Sequence, residues 1–420
     1  MESELGRVGC WVCGELASSL RPKERIRSAY VARMEMRLCS ELSYRSSAEI
    51  LNTTLHRRDG DDIKLMTLRD GIESEAVRID GHMDALAHGI LRDGGFDPET
   101  GLPVDPGGVP ESIRAPECAG EEGLPSRHDS LREVIDAYNS TRDEAARITD
   151  EGLIEAVEPI AGNCVYISVD DVGVRHQKDT RKDGGTKDRK NVENTVIHVE
   201  CAEGTYVLTR VGMGAAFRML LAFLLSNGLM ENRHVVFFSD GARNILGAVN
   251  KYFAFCPNAL MLDWYHLEKR MRELCSMALR GTKDERQGMR DRIDAMLWVG
   301  NVDQAIAYLN GMDEAHVKSR KRLEDAVAYL ERKRPSICCY ALRQLLGLRN
   351  SSNPAEKEND LVVASRQKHN GMSWSHTGSH ALAAISAIAR NEETEGWLLE
   401  EEIRFKPRPE VDELSEVDVA

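Results

Sequence analysis

The stretch HVVFFSDGA, His234 to Ala242, constrains the fold more than any other part of the chain. Four apolar residues, Val235 to Phe238, lead straight into Ser239-Asp240-Gly241. A β-branched and aromatic run bounded by turn residues reads as a buried strand. Asp240 then stands at the strand's C-terminal end, on the rim of an α/β sheet, where ligands bind. Gly241 allows the chain to turn sharply there. An Asp-Gly pair is also an ordinary turn, so its neighbours decide what it means.

Those neighbours alternate. NCVYISVDDVGV (163–174) reads as a strand, and NTVIHVECAEGTYVLTRV (194–211) as a hairpin turning at Glu203-Gly204. AAFRMLLAFLLSNGL (215–229) reads as a helix ended by Asn-Gly. After the strand at 234–240 come a helix (ARNILGAVNKYF), a strand (ALMLD, 259–263) and a helix (WYHLEKRMRELCSMAL, 264–279). The order is β-β-β-α-β-α-β-α. Three antiparallel strands with parallel strands added at one side define a ribonuclease H-like mixed sheet, in the α/β class.

Around this core, 127–281, the chain divides by composition. Residues 1–91 read as helical. Two helices about the break near Gly60, the second around Thr67 to Ile79, fit either ordinary packing or a DNA-binding helix-turn-helix. Residues 92–126 form a Pro/Gly-rich linker, with six of the chain's 13 prolines and seven glycines between 93 and 126. A helix is expected from Ser130 to Thr149. Residues 282–350 carry helical periodicity without a strand and read as a helical insertion. Residues 351–392 supply further helices that complete the core, 393–420 read as an acidic tail, and its last stretch, PRPEVDELSEVDVA (407–420), as frayed.

Bulk properties exclude several classes. The 420 residues are 42% hydrophobic and 30% charged, an ordinary globular balance. The formal net charge of −14 argues against a simple nucleic-acid coating protein but leaves room for a local basic groove. Ten cysteines fall into no framework spacing, so reduced thiols in a cytosolic protein are expected. Cys10 and Cys13 form one CxxC, readable as a zinc or redox pair or as two incidental thiols. The segment MESELGRVGC lacks the apolar core of a signal peptide. The most apolar stretch, Met213 to Met230, is interrupted by Arg218, Ser226, Asn227 and Gly228, so no membrane span is expected.

Strand-end carboxylates carry the chemistry. The first strand ends in Asp170-Asp171 and the fourth in Asp240, and this topology makes those ends neighbours. Side chains alternate faces along a strand, so only one of Asp170 and Asp171 points into a shared site. Adjacent carboxylates repel unless a cation lies between them, and magnesium favours such oxygen ligands. Two metals about 3.5–4 Å apart clamp the attacking and leaving oxygens of a phosphodiester. A third acid would come from NPAEKENDL, which holds Glu356, Glu358 and Asp360 in a helix opened by Pro354. Acids in a first helical turn also serve the helix dipole.

Four pieces together resemble DDE transposases of bacterial insertion sequences, in the superfamily related to eukaryotic Mutator elements. VYISVDDVGV is similar to the first catalytic-Asp motif, and VVFFSDGARNI to the second. LMLDWYHLEKR resembles the Asp-x-x-His signature, through Asp263 and His266. AEKENDLVVASRQKHNGMSWS is similar to the catalytic-Glu block. The resemblance spans about Asn163 to Arg390. It implies Asp170, Asp240 and Glu356 as a catalytic triad that binds two magnesium ions, with manganese able to substitute. Asp263 and His266 would be accessory. It also implies double-stranded DNA as partner, at element ends and target, a homo-oligomer on DNA, and a cytoplasmic, nucleoid-associated place. The sequence departs from the family where Asp171 stands in place of the usual glycine.

Basic residues near these motifs are candidate DNA contacts. Residues 175–190 hold seven Lys or Arg against three Asp, a local +4, among them Arg175, Lys178, Arg181 and Lys182. Arg366 and Lys368 follow the third acid, and Trp374 could stack on an unpaired base. Each has a plainer reading: a solvated loop, or a core tryptophan. Two other functions stay open. One is a catalytically inactive, domesticated DNA-binding protein or regulator with the same fold. The other is a magnesium-dependent phosphatase, which would need a second Asp at the position held by Val172.

Overall fold

The computed structural model describes residues 28–57, 62–115, 164–177, 191–345, 348–368 and 372–409, with a few isolated positions besides. Its centre is a five-stranded sheet: β1 (Cys164–Arg175), β2 (Asn191–Cys201), β3 (Gly204–Val211), β4 (His234–Ser239) and β5 (Asn258–Leu262). The strand order is β3-β2-β1-β4-β5. β1, β2 and β3 pair antiparallel, and β1–β4 and β4–β5 pair parallel. This is the ribonuclease H-like mixed sheet expected from the element order. The hairpin closes at Ala202-Glu203, with Cys201 opposite Gly204.

The strands are apolar on both faces because helices cover both. Val165, Ile167 and Val169 of β1 join the main core. Cys164 packs with Val236, Phe238 and Met261 in a smaller cluster. Helix α4 (Met213–Ser226) is buried almost throughout and lies on β2 and β3. Tyr206 of β3 stacks on its Phe223 at 4.4 Å. Helix α12 (His376–Arg390), rich in Ala, Ser and Ile, also packs on these strands and against α3 (Leu65–Asp93). Before α3 come α1 (Ala29–Glu41) and α2 (Tyr44–Thr54), capped by Ser28 and Ser43. Helix α5 (Arg243–Tyr252) links β4 to β5.

A second core sits beyond β5. Helices α6 (Trp264–Ala278), α7 (Lys283–Trp298), α8 (Val302–Asn310) and α9 (Arg320–Lys333) bury Leu267, Met271, Ile293, Leu297, Leu309, Leu323 and Leu330 together. Thr282 and Glu285 form a capping box that starts α7. Tyr340, opening α10 (Tyr340–Leu345), ties this unit to the sheet by donating to the Leu262 carbonyl at 2.8 Å. The helical block therefore includes α6, ahead of the expected start at 282.

Three expectations need correction. The stretch 93–115 is packed rather than a free linker. Phe96, Val109 and Ile113 are buried, Phe96 meets Phe255 edge-on at 5.0 Å, and Asn232 donates to the Ser112 carbonyl. Those apolar anchors outweigh the Pro/Gly composition; residues 116–126 lie outside the described residues. The second helix of the suspected helix-turn-helix is one helix of 29 residues, with Leu68, Ile72, Ala76, Ile79, Met83, Ala87 and Leu91 in the core. The segment 393–409 is also fixed. It forms α13 (Thr394–Glu400), buries Trp397, Ile403 and Phe405, and pairs Arg408 with Thr205 of β3. The helix expected at 130–149 and the Cys10/Cys13 pair fall largely outside the described residues. Among the described residues no helix is long and apolar enough to cross a membrane.

One buried group makes stability depend on pH. His198 of β2 is 8% exposed. Burial drives its imidazole from 6.5 down to about 4, Glu358 opposes this, and Arg349, Arg390 and Arg408 add to it. The folded value lies below the unfolded one, so the unfolded chain binds the extra proton. Stability is therefore full above about 6.5 and falls as pH drops toward 4. The loss is up to about 3 kcal/mol. Urea unfolding of wild type and His198→Gln at pH 7 and pH 4 should show this excess loss only in wild type. Parallel losses in both proteins would contradict the assignment.

Candidate active site at the sheet edge

The parallel register brings the first two acids level. Pairs run from Cys164↔His234 to Ser168↔Phe238, a constant offset of 70 residues (234 − 164), which is also the separation of Asp170 and Asp240 (240 − 170). Between β4 and β5 the offset is 23 (262 − 239), which sets Asp263 beside Asp240. All three carboxylates thus lie at one height, just past the last parallel pairs; the first strand does not end at Asp170-Asp171 as expected but runs on to Arg175, held by its antiparallel pairing with β2.

The chain turns at Asp240 by local chemistry. Ser239 Oγ accepts from the Gly241 N–H at 3.1 Å, and Asp240 Oδ1 from the Ala242 N–H at 2.7 Å. Gly241 has φ +83°, in the left-handed region that favours glycine. Asp240 itself is exposed.

Asp170 and Asp171 separate as alternation requires. Asp170 accepts from the Asn359 side chain and, at 2.9 Å, from the Asp171 N–H. Asn359 ends α11 (Asn353–Asn359), the helix that carries Glu356. Asp171 accepts from Thr195 Oγ1 and Asn244 Nδ2, both at 2.6 Å. Burial raises the Asp170 carboxyl, the Asn359 hydrogen bond opposes this, and the charges of Asp240 and Glu356 raise it further. Asp171 is also raised, first by burial, against the Thr195 and Asn244 hydrogen bonds, and it feels Asp240. Of the two, Asp170 lies toward the Glu356 helix.

α11 continues through a π-helical turn, Asp360–Ala364, into Ser365–Gln367. Such turns often occur at functional sites. Glu356 is partly exposed, 3.5 Å from His266 Nδ1. The same nitrogen is 3.2 Å from Asp263 Oδ1, which caps α6 by accepting from the His266 N–H at 2.9 Å. Asp263 Oδ2 accepts from the Ser352 N–H and hydroxyl, just ahead of α11. Asp263 is fully buried; burial raises its carboxyl, but the hydrogen bonds from His266 and Ser352 prevail and leave it lowered. His266 is raised, chiefly by its hydrogen bond to Asp263, against burial, with Glu356 and Asp240 adding to it. Glu358 points elsewhere, into a bidentate pair with Arg390 at 2.6 and 2.9 Å.

Two expected DNA contacts are spoken for inside the fold. Arg366 is 3% exposed, donates to the Cys39 carbonyl, and lies over the rings of Tyr44 and Trp374 at 5.4 and 5.1 Å. Trp374 is buried and donates from Nε1 to the Gln367 carbonyl at 3.1 Å. Both clamp the C-terminal segment to α1, α2 and the end of β1, so neither is presented at the surface. Arg175 and Lys368 are exposed. Lys178, Arg181 and Lys182 lie outside the described residues. Sequence reasoning missed Asn359, Thr195, Asn244 and Ser352 as partners of the acids; only Asn359, three residues after Glu356, carried a readable signal.

Among the described residues, no three Asp, Glu, His or Cys side chains are gathered tightly enough to grip a metal ion as they stand. The donor chemistry of Asp170, Asp240 and Glu356 nevertheless suits a hard divalent cation, being all oxygen. Their mutual repulsion, felt at Asp170, is what such an ion would offset.

No known protein family and no curated protein matches the chain. Among solved structures it is similar to the Drosophila P element transposase strand transfer complex, with TM-score 0.26 and 8% identity, over 91% of this chain and 84% of that one. A likeness so weak does not establish kinship. Fold and site define an α/β protein with a ribonuclease H-like sheet and acidic residues where its parallel strands end.

Proposed function

We propose that the protein is a DDE-type transposase, cleaving and joining DNA strands at the ends of a mobile element. One observation carries this reading: Asp170 and Asp240, 70 residues apart, stand level on adjacent parallel strands of a ribonuclease H-like sheet, and the helix of Glu356 docks there through the Asn359 hydrogen bond to Asp170. Val172, where a phosphatase would need its second Asp, is a buried apolar residue, which disfavours that alternative.

In the first reaction a water oxygen forms a new bond to phosphorus, the P–O3′ bond breaks, and the 3′ oxygen leaves and takes a proton. The oxygen of the freed 3′-hydroxyl then attacks a target phosphodiester in line: it bonds to phosphorus, the target's own P–O3′ bond breaks, and the target's 3′ oxygen leaves and takes the proton. Asp170, Asp240 and Glu356 would hold magnesium, which supplies Lewis-acid polarisation of the phosphoryl oxygen. The chain's own part is positioning. Asn359 and the Asp171 N–H orient Asp170, and the Ala242 N–H orients Asp240. Asp263 steadies His266 beside Glu356. Double-stranded DNA is the partner, and a homo-oligomer would bring two ends together.

The test is nicking of labelled DNA carrying the sequences that flank the protein's own gene, with magnesium or manganese and without. Metal-dependent cleavage is expected. DNA binding without cleavage would favour the second reading, an inactive DNA-binding protein, which the ungathered acids also suit.

A further inference from the structure

The helical insertion reaches back to the sheet edge through one side chain. Lys333, the last residue of α9, donates from Nζ to the carbonyl of Gly241, next to Asp240. A Cβ at Gly241 would lie 2.8 Å from Leu262 Cδ1, 2.9 Å from that Nζ and 3.1 Å from Cε, so the ammonium packs close against the glycine backbone. Tyr329, one turn earlier on α9, also feels the charge of Asp240, so this face of the helix is turned to the site. Lys333 is half-buried, and Arg332 and Arg243 crowd it with like charge while Asp240 offsets them. Its described hydrogen-bond partner is a neutral carbonyl, which uses one of the three ammonium donors. A cationic rim of this kind beside a carboxylate fits an anion that carries several oxygens.

We infer that Lys333 is a phosphate-binding residue of the site, supplied by the insertion, and that it grips a DNA backbone phosphate beside Asp240. The inference rests on the DNA-cleaving reading above. It gives the insertion a role that its separate core does not explain: α9 carries a cation to the place where the strand would be cut. Arginine, with its charge and donors, would substitute in part; glutamine would keep the length and lose the charge.

The experiment is fluorescence anisotropy of a fluorescein-labelled DNA duplex of arbitrary sequence, titrated with the full chain at several salt concentrations and without divalent metal. Each phosphate neutralised contributes about 0.9 to the slope of log K against log salt. Lys333→Gln should reduce the slope by about 1, Lys333→Arg should keep it, and Lys321→Gln, at the far end of α9, should leave it unchanged. Thermal unfolding of each variant shows whether the fold is intact. An unchanged slope in folded Lys333→Gln, or an equal drop in Lys321→Gln, overturns the role of Lys333 and leaves the site reading standing. No DNA binding by wild type overturns both. If Lys333→Gln does not fold, the slope kept or lost by Lys333→Arg decides, since a folded arginine variant with a reduced slope would contradict a charge-based grip.

Discussion

Asp240→Asn should lower metal-dependent DNA cleavage by roughly a thousand-fold or more while leaving the fold intact. Asparagine keeps the Oδ1 acceptor that the Ala242 N–H uses, so the turn after β4 survives. What is lost is the negative charge at the sheet edge. That charge repels Asp170 and Asp171 and attracts His266 and Lys333, so its removal takes away effects of both signs. The variant should therefore unfold at nearly the same urea concentration as wild type, with a stability change within about 0.5 kcal/mol. Lost activity without lost stability is the signature of a residue kept for chemistry. Asp240→Ala should lose cleavage equally and some stability too, because its turn loses the acceptor. Gel analysis of end-labelled DNA beside urea unfolding reads both quantities. Cleavage that survives in folded Asp240→Asn would remove Asp240 from the reaction.

How much of this was visible in sequence depends on how local the cause is. The end of β4 at Asp240 was legible because an apolar run and an Asp-Gly break are local, and the 70-residue offset of Asp170 and Asp240 is the β1–β4 register itself; that β1 runs past Asp170 to Arg175 was not, because its pairing with β2 is long-range. The facing of Asp170 and Asp171 was legible only as an alternation; which of them meets the Glu356 helix depends on where α11 docks. Long-range packing hid the rest. The second N-terminal helix was expected around Thr67 to Ile79, yet α3 runs on to Asp93 because its apolar stripe is buried along its whole length. Arg366 and Trp374 have the residue types of a DNA contact, but a guanidinium between two rings serves a buried clamp equally well. Phe96, Val109 and Ile113 were masked by the prolines and glycines around them. Lys333 lies 93 residues beyond Asp240 (333 − 240) on a helix whose own pattern explains only the insertion core.

The two glutamates of α11 make the sharpest contrast, and the second large effect is expected there. Glu356 and Glu358 are two residues apart, roughly 200° around a helix, so they face opposite sides. Glu358 is 5% exposed and pairs bidentately with Arg390 of α12, with His198 among the groups that feel its charge. Removing one member of a buried pair strands the other, at about 3–5 kcal/mol. The Arg390 side chain is 37% exposed and regains some water, which places Glu358→Ala at about 3–4 kcal/mol. Glu356 is 39% exposed and its described charged partner is His266, so Glu356→Gln should change stability by less than about 1 kcal/mol. Cleavage should behave the other way. Glu356→Gln should be inactive at every temperature at which it is folded, and Glu358→Ala should cut DNA at low temperature and fail as it unfolds. Urea midpoints and cleavage at two temperatures separate the two roles. A stable, inactive Glu358→Ala beside a fully active Glu356→Gln would exchange the assignments and place the third acid on the Arg390 side of the helix.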